Sequence, residues 1–213
     1  MELFPVNESS EISRLLSQAA VGDPAAIDAM FRRYEERIKR MVRLRLNHKL
    51  RGRVDASDIV QETFLDAAKH LADYLESPSV PFFLWLRHLA GRKLIDVHRR
   101  HLGAQARDAG QEANLPTYAG PAATSDSLAA HLLGRFSSPS SAAQKAERRV
   151  SVRAALDALD PIDREVLTLR HFEQLSNVET AAVLGLVPST ASKRYLRALS
   201  RLKTLLKETS GLQ

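Results

Sequence analysis

Apolar residues recur every three to four positions through most of this chain, the spacing of one face of an α-helix, and this predicts an all-α fold. Ser10 to Ala20 carries Ile12, Leu15, Leu16 and Ala19 on one side, and Gly22 stops it. Asp23-Pro24 then supplies an N-cap and a first-position proline for a helix running to about Leu46. Ile27, Met30, Phe31, Tyr34, Ile38, Met41 and Val42 form its apolar stripe, and Arg32, Arg33, Arg37, Lys39, Arg40, Arg43 and Arg45 crowd the rest. A basic connection, Asn47 to Arg53, leads to DASDIVQETFLDAAKHL, where Asp55, Ser57 and Asp58 suit a helix start and its dipole. Val60, Phe64, Ala67, Ala68 and Leu71 face inward there, and Asp73 to Val80 reads as a loop. Pro81 to His101 closes a four-helix unit, with Phe83, Leu86, Ala90, Leu94 and Val97 on its apolar side.

From Leu102 to about Gln144 the large apolar residues thin out and Ala, Gly, Ser and Pro dominate, as in a flexible linker. Within it, Leu128, Leu132, Leu133 and Phe136 are spaced for one or two helical turns. Helical spacing resumes at Glu147 to Leu159, with Val150, Val152, Ala155, Leu156 and Leu159, and Asp160-Pro161 opens another helix. Ser176 to Glu179 fits a capping box, S-x-x-E. Gly185 sits where the following turn needs a left-handed residue. The final helix runs from near Pro188 to about Lys207, with Ala191, Tyr195, Ala198, Leu199, Leu202, Leu205 and Leu206 inward. The residue before Pro188 is Val187 rather than a polar cap, and capping by Ser189 instead would shift the register by about two residues.

Composition narrows the function classes. Net charge is +6 over 213 residues, which leans toward polyanionic partners. The absence of cysteine excludes disulfides, Cys-ligated zinc and thiol catalysis, and fits a reducing cytosol. The opening MELFPVNESSE lacks a basic region followed by an apolar run, and the longest apolar run, Phe82 to Leu86, is too short to cross a bilayer. A cytoplasmic protein without membrane insertion is therefore expected. The seven histidines show no metal-ligand spacing and there is no phosphate-binding glycine loop, so no cofactor, metal or enzymatic activity is expected.

Three surfaces carry candidate chemistry. The helix at 81–101 presents Trp85, His88, Arg92, Lys93, Asp96, Arg99 and Arg100 opposite its apolar stripe. That is either a solvated face or a nucleic-acid face, where cations neutralise phosphates and an aromatic ring offers stacking. The helix at 55–71 presents Asp58, Glu62, Leu65, Asp66 and Lys69, either as solvated surface or as a dock for a basic protein with Leu65 as apolar anchor. The short capped helix, glycine turn and longer basic helix near the C-terminus make a helix-turn-helix pattern. Its second helix exposes Ser189, Thr190, Ser192, Lys193, Arg194 and Arg197, residue types that reach base edges and phosphates in the major groove.

DASDIVQETFLDAAKHL followed by FFLWLRHLAGRKLIDVHRR resembles the second conserved region of bacterial RNA polymerase sigma factors, and LDPIDREVLTLRHFEQLSNVETAAVLGL…KRYLRAL resembles their fourth. With these two regions alone, the chain is similar to the extracytoplasmic-function (ECF) group. The resemblance implies two small helical domains, at 8–101 and 146–207, joined by the 102–145 linker. It implies that Asp55, Asp58, Gln61, Glu62 and Leu65 dock on the coiled coil of the polymerase's largest subunit. Trp85, His88, Arg92, Lys93, Asp96, Arg99 and Arg100 would contact the −10 element and help open it, and Tyr74, on the loop around Asp73 to Glu76, would stack an unpaired base. The last helix would read the −35 element while its domain meets the flap of the second-largest subunit. An anti-sigma protein is a further partner that the resemblance brings into consideration. Elements about 17 base pairs apart are separated by roughly 58 Å. A linker of roughly 43 residues spans about 35–40 Å as a coil and more than about 100 Å extended. The alternative is a helix-turn-helix regulator that does not bind polymerase core, which gives the acidic face no role.

Overall fold

The computed structural model describes residues 10–102, 120–135 and 142–209, and among these every regular element is helical. Most of the expected linker, Phe136 and the first nine residues lie outside the described residues. Helices α1 (Ser10–Ala20), α2 (Pro24–Arg45), α3 (Ala56–Glu76) and α4 (Phe82–Leu102) come first, with a 3-10 turn at His48–Leu50. They are followed by α5 (Ser125–Arg135), α6 (Ala142–Asp157), α7 (Pro161–Leu167), a π-helical turn at Thr168–Phe172, α8 (Asn177–Leu184) and α9 (Pro188–Thr209).

The helix starts follow their caps. The Asp23, Asp55 and Asp160 carboxylates accept from the backbone N–H groups of Ala25, Ser57 and Ile162 at 2.8–3.0 Å. In the capping box, Ser176 Oγ accepts from Glu179 N–H at 3.1 Å while Ser176 N–H donates to Glu179 Oε2 at 2.7 Å. Gly185 ends α8 at φ 63°, in the left-handed region that a side chain would strain. Pro188 is the first helical residue of α9, so Val187 is the cap and the two-residue shift does not occur.

Burial follows the apolar stripes closely in α1 and α4 and departs from them elsewhere. In α3 the polar Thr63 is buried beside Val60, Ala67 and Leu71, its hydroxyl donating to the Ile59 carbonyl at 2.7 Å, while Ala68 is exposed. Val150 and Leu199, expected inward, lie exposed. The expected loop at Asp73 begins only at Ser77, because α3 continues to Glu76. The expected linker contains an ordered piece: Leu128 and Ala129 of α5 are fully buried in a core with Leu44 of α2 and Leu156, Leu159, Leu167, Phe172 and Ala198.

A second correction concerns charge. Arg45, placed by pattern on the cationic outside of α2, is 1 % exposed, as is Arg87 of α4. Both reach Glu173, also 1 % exposed. Arg45 Nε donates to Glu173 Oε1 and its Nη2 to Glu165 Oε1. Arg87 Nε donates to Glu173 Oε2 at 2.9 Å. Arg45 Nη1 completes its fork on the Pro121 carbonyl at 2.7 Å. Burial alone would push the Glu173 carboxyl up, but the Arg45 and Arg87 guanidiniums outweigh it and hold it below the usual carboxylate range. Around this cluster, Val166, Leu169, Leu175, Val183 and Leu184 share one apolar core with α1 to α4.

Because the folded carboxyl is depressed, folding favours ionised Glu173. Its contribution is fully present above the unfolded value of about 4.3 and is lost as pH falls through the folded value. The stability gap between the wild type and Glu173→Gln, from urea unfolding, is expected to be widest above about pH 5 and to shrink on acidification. A gap that stays constant with pH would show that folding does not select the ionised form.

Candidate functional site

The acidic face of α3 is built from its cap outward. Asp55 anchors the helix start through Ser57 N–H, and this hydrogen bond holds its carboxyl below the usual range. Asp58, Gln61, Glu62 and Leu65 then follow on an open face, with Leu65 65 % exposed. Leu65 is an exposed apolar side chain on a helix face that also carries Asp58 and Glu62. All five expected docking residues lie on exposed surface, and Asp55 is at once cap and surface.

The polar side of α4 is less uniform. Arg92, Arg99 and Arg100 are exposed, and His88, Lys93 and Asp96 are half-buried. Asp96 Oδ1 accepts from Arg99 Nη2 at 2.9 Å, and Lys93 Nζ lies 4.0 Å from Asp66 Oδ2 of α3. These pairs orient the cations without neutralising the face. Trp85 is half-buried, its ring 4.7 Å from Tyr74 and 5.5 Å from Phe82. Tyr74 is the clear departure: it is 5 % exposed, on the last turns of α3 rather than in a loop. Its hydroxyl donates to the Val80 carbonyl at 2.9 Å, and its ring packs inside. The pattern missed this because the helix runs five residues further than its apolar stripe suggests. His98 was missed altogether: its Nε2 accepts from Asn47 N–H at 3.2 Å, and burial pushes its pKa down, keeping the acceptor neutral.

On α9, Ser189, Ser192 and Lys193 are exposed and Thr190 and Arg194 half-buried. The capping box fixes α8, and Asn177 Nδ2 donates to the Pro188 carbonyl at 2.7 Å, tying α8 to the start of α9. Arg194 and Arg197 are both engaged within the protein. Arg194 Nη1 donates to the buried Asp163 at 2.9 Å, and Arg197 reaches both its oxygens at 3.0 and 3.1 Å. The Asp163 carboxylate raises the Arg197 pKa, and one carboxylate thus offsets part of two cations on the helix. Lys193, exposed, makes no ion pair among the described residues.

An acidic helix with an exposed leucine, a cationic helix beside it and a capped helix-turn-helix are the features that known proteins can be compared on. The chain belongs to the ECF sigma factor family, whose model matches residues 9–208. It is 28% identical over 189 residues to the RNA polymerase sigma factor CarQ of Myxococcus xanthus, covering 88% of this chain and 92% of that one. It is 29% identical over 207 residues to the ECF RNA polymerase sigma factor ShbA of Streptomyces griseus, covering 95% and 98%. Its fold matches the structure of CnrH in complex with the cytosolic domain of CnrY with a TM-score of 0.54, at 24% identity over 93% of this chain and 99% of that one. The chain is an RNA polymerase sigma factor, and the family match spans both halves, which does not favour a plain helix-turn-helix regulator. Sigma factors are regulatory rather than catalytic proteins. No helix among the described residues is long and apolar enough to cross a membrane.

Proposed function

We propose a division of labour among these surfaces. Residues 8–101 dock on core polymerase through Asp55, Asp58, Gln61, Glu62 and Leu65, Asp55 also capping the helix start, and contact the −10 element through Trp85, His88, Arg92, Lys93, Asp96, Arg99 and Arg100. Residues 146–207 read the −35 element through Ser189, Thr190, Ser192 and Lys193, with Arg194 and Arg197 shared between DNA and Asp163. The chain acts in the cytoplasm and catalyses nothing itself; polymerase performs the chemistry. CnrH was solved with the cytosolic domain of CnrY, and a comparable anti-sigma partner is part of this proposal. The observation that carries the reading is one chain with an exposed acidic face around a bare leucine and two cationic helix fronts. Opposite charges of this kind suit a protein partner and a phosphate backbone at once.

The direct test is run-off transcription with purified core polymerase on genomic promoter fragments. Discrete starts that require this protein support the proposal, and unchanged core transcription overturns it. Glu62→Lys and Leu65→Ala are expected to weaken core binding about tenfold or more while leaving duplex retention intact, Leu65 being an anchor worth about 1–2 kcal/mol. Normal core affinity in both sinks the docking assignment. Lys193→Ala is expected to do the reverse, lowering promoter affinity and reducing the salt slope by about one. It is a cleaner probe than Arg197, whose removal also strips Asp163 of a partner.

A further inference from the structure

Two arginines of α9 converge on one carboxylate of α7. Asp163 is the third residue of α7, in a first turn set by the Asp160 cap and by Pro161. Its carboxylate is buried, and both oxygens are taken. Oδ1 accepts from Arg194 Nη1 at 2.9 Å and from Arg197 Nη2 at 3.0 Å, and Oδ2 accepts from Arg197 Nε at 3.1 Å. Arg197 is thus gripped along one edge of its guanidinium, Nε and Nη2, as a fork on a fork. Its side chain is nevertheless 62 % exposed. Nη1 makes no hydrogen bond among the described residues, so the end of the plane, Nη1 with the second Nη2 hydrogen, is left to donate.

A guanidinium held this way differs from a loose cation. A mobile Arg or Lys on a DNA-facing helix takes any phosphate in reach, which strengthens binding to every duplex alike. A fork fixed in plane and direction meets only an acceptor pair that lies where it points, and guanine O6 and N7 in the major groove are such a pair. The carboxylate also offsets local positive charge, which lowers the sequence-independent share of binding. Lys193, one turn earlier, is exposed and makes no ion pair among the described residues, so it remains a point charge of the general kind.

We propose that Asp163 is the positioning residue that sets the selectivity of α9: it holds Arg197 for a guanine edge and withdraws it from general phosphate contact. The inference rests on the assignment of α9 to the −35 element. Arg194, half-buried and bonded to Oδ1, braces the carboxylate. Asp163 touches no DNA itself; it acts through the arginine it orients.

The test uses holoenzyme reconstituted from core polymerase and this protein, a promoter recovered by run-off transcription, and copies of it changed one base pair at a time across the −35 element. With the wild type, changing the G·C pair that Arg197 reads is expected to lower affinity about tenfold or more. Asp163→Asn keeps the shape and removes the charge. It is expected to shrink that penalty several-fold, to raise affinity for a duplex with a scrambled −35 element, and to steepen the salt slope there by up to about one. Arg197→Lys is expected to abolish the penalty, and the double variant to lose no more than Arg197→Lys alone, because both changes act through one guanidinium. A purely structural Asp163 would lower stability and leave the base-pair profile and salt slope as they were; that result overturns the proposal, and so do additive losses. If Asp163→Asn does not fold, the free wild type decides. Its Arg197 Nε–H resonance, assigned by its disappearance in Arg197→Lys, is expected to be as ordered as the helix backbone, and a freely reorienting guanidinium overturns the proposal. A wild type indifferent to every −35 change fails the promoter assignment and this inference with it. A wild type that discriminates, matched by Asp163→Asn, fails this inference alone.

Discussion

A carboxylate with no access to water must be matched where it lies, and the Glu173 carboxylate dictates much of this structure. Its oxygens are shared between Arg45 and Arg87, so the end of α2 and the first half of α4 must converge on the residue that follows Phe172. Arg45 stands in the last turn of α2, where a cation also complements the helix dipole. The π-helical turn at Thr168–Phe172 contributes from the other side. Its extra residue rotates the residues after it by about 100° relative to an uninterrupted α-helix. Leu169, Phe172 and Glu173 are thereby all buried, and Glu173 N–H bonds back to the Thr168 carbonyl at 2.9 Å.

With the interior charges balanced among themselves, the outer ones are left to sort by function. The α3 face keeps its carboxylates in water around Leu65, and the last turns of α4 keep Arg99 and Arg100 exposed. On α9 the balance is finer. Asp163 gathers Arg194 and Arg197 against the helix, which restrains both side chains at the cost of some positive potential. Side chains already held in place lose less rotamer freedom on any later contact.

The helices were legible wherever a local rule fixed them. Aspartate caps, prolines at first positions, the S-x-x-E box and Gly185 all act within four residues of the boundary they set, and the boundaries lie there. The surfaces followed from the same periodicity, since Asp58, Glu62 and Lys193 need only stand off the apolar stripe. Arg45 and Arg87 were illegible for the opposite reason. Their partners lie 128 and 86 residues away, and periodicity assigns any arginine to water. Tyr74 was misplaced by a nearer failure: α3 outlasts its stripe, and the aromatic cluster with Phe82 and Trp85 draws the ring inward.

The use of charge at this junction is itself informative. Apolar residues of similar volume in place of the four charged ones would hold the ends together as well or better. The charged set admits one register only, since a misplaced seating would strand a charge. Burying Arg45, Arg87, Glu165 and Glu173 therefore makes sense for a contact selected for its geometry more than for its strength.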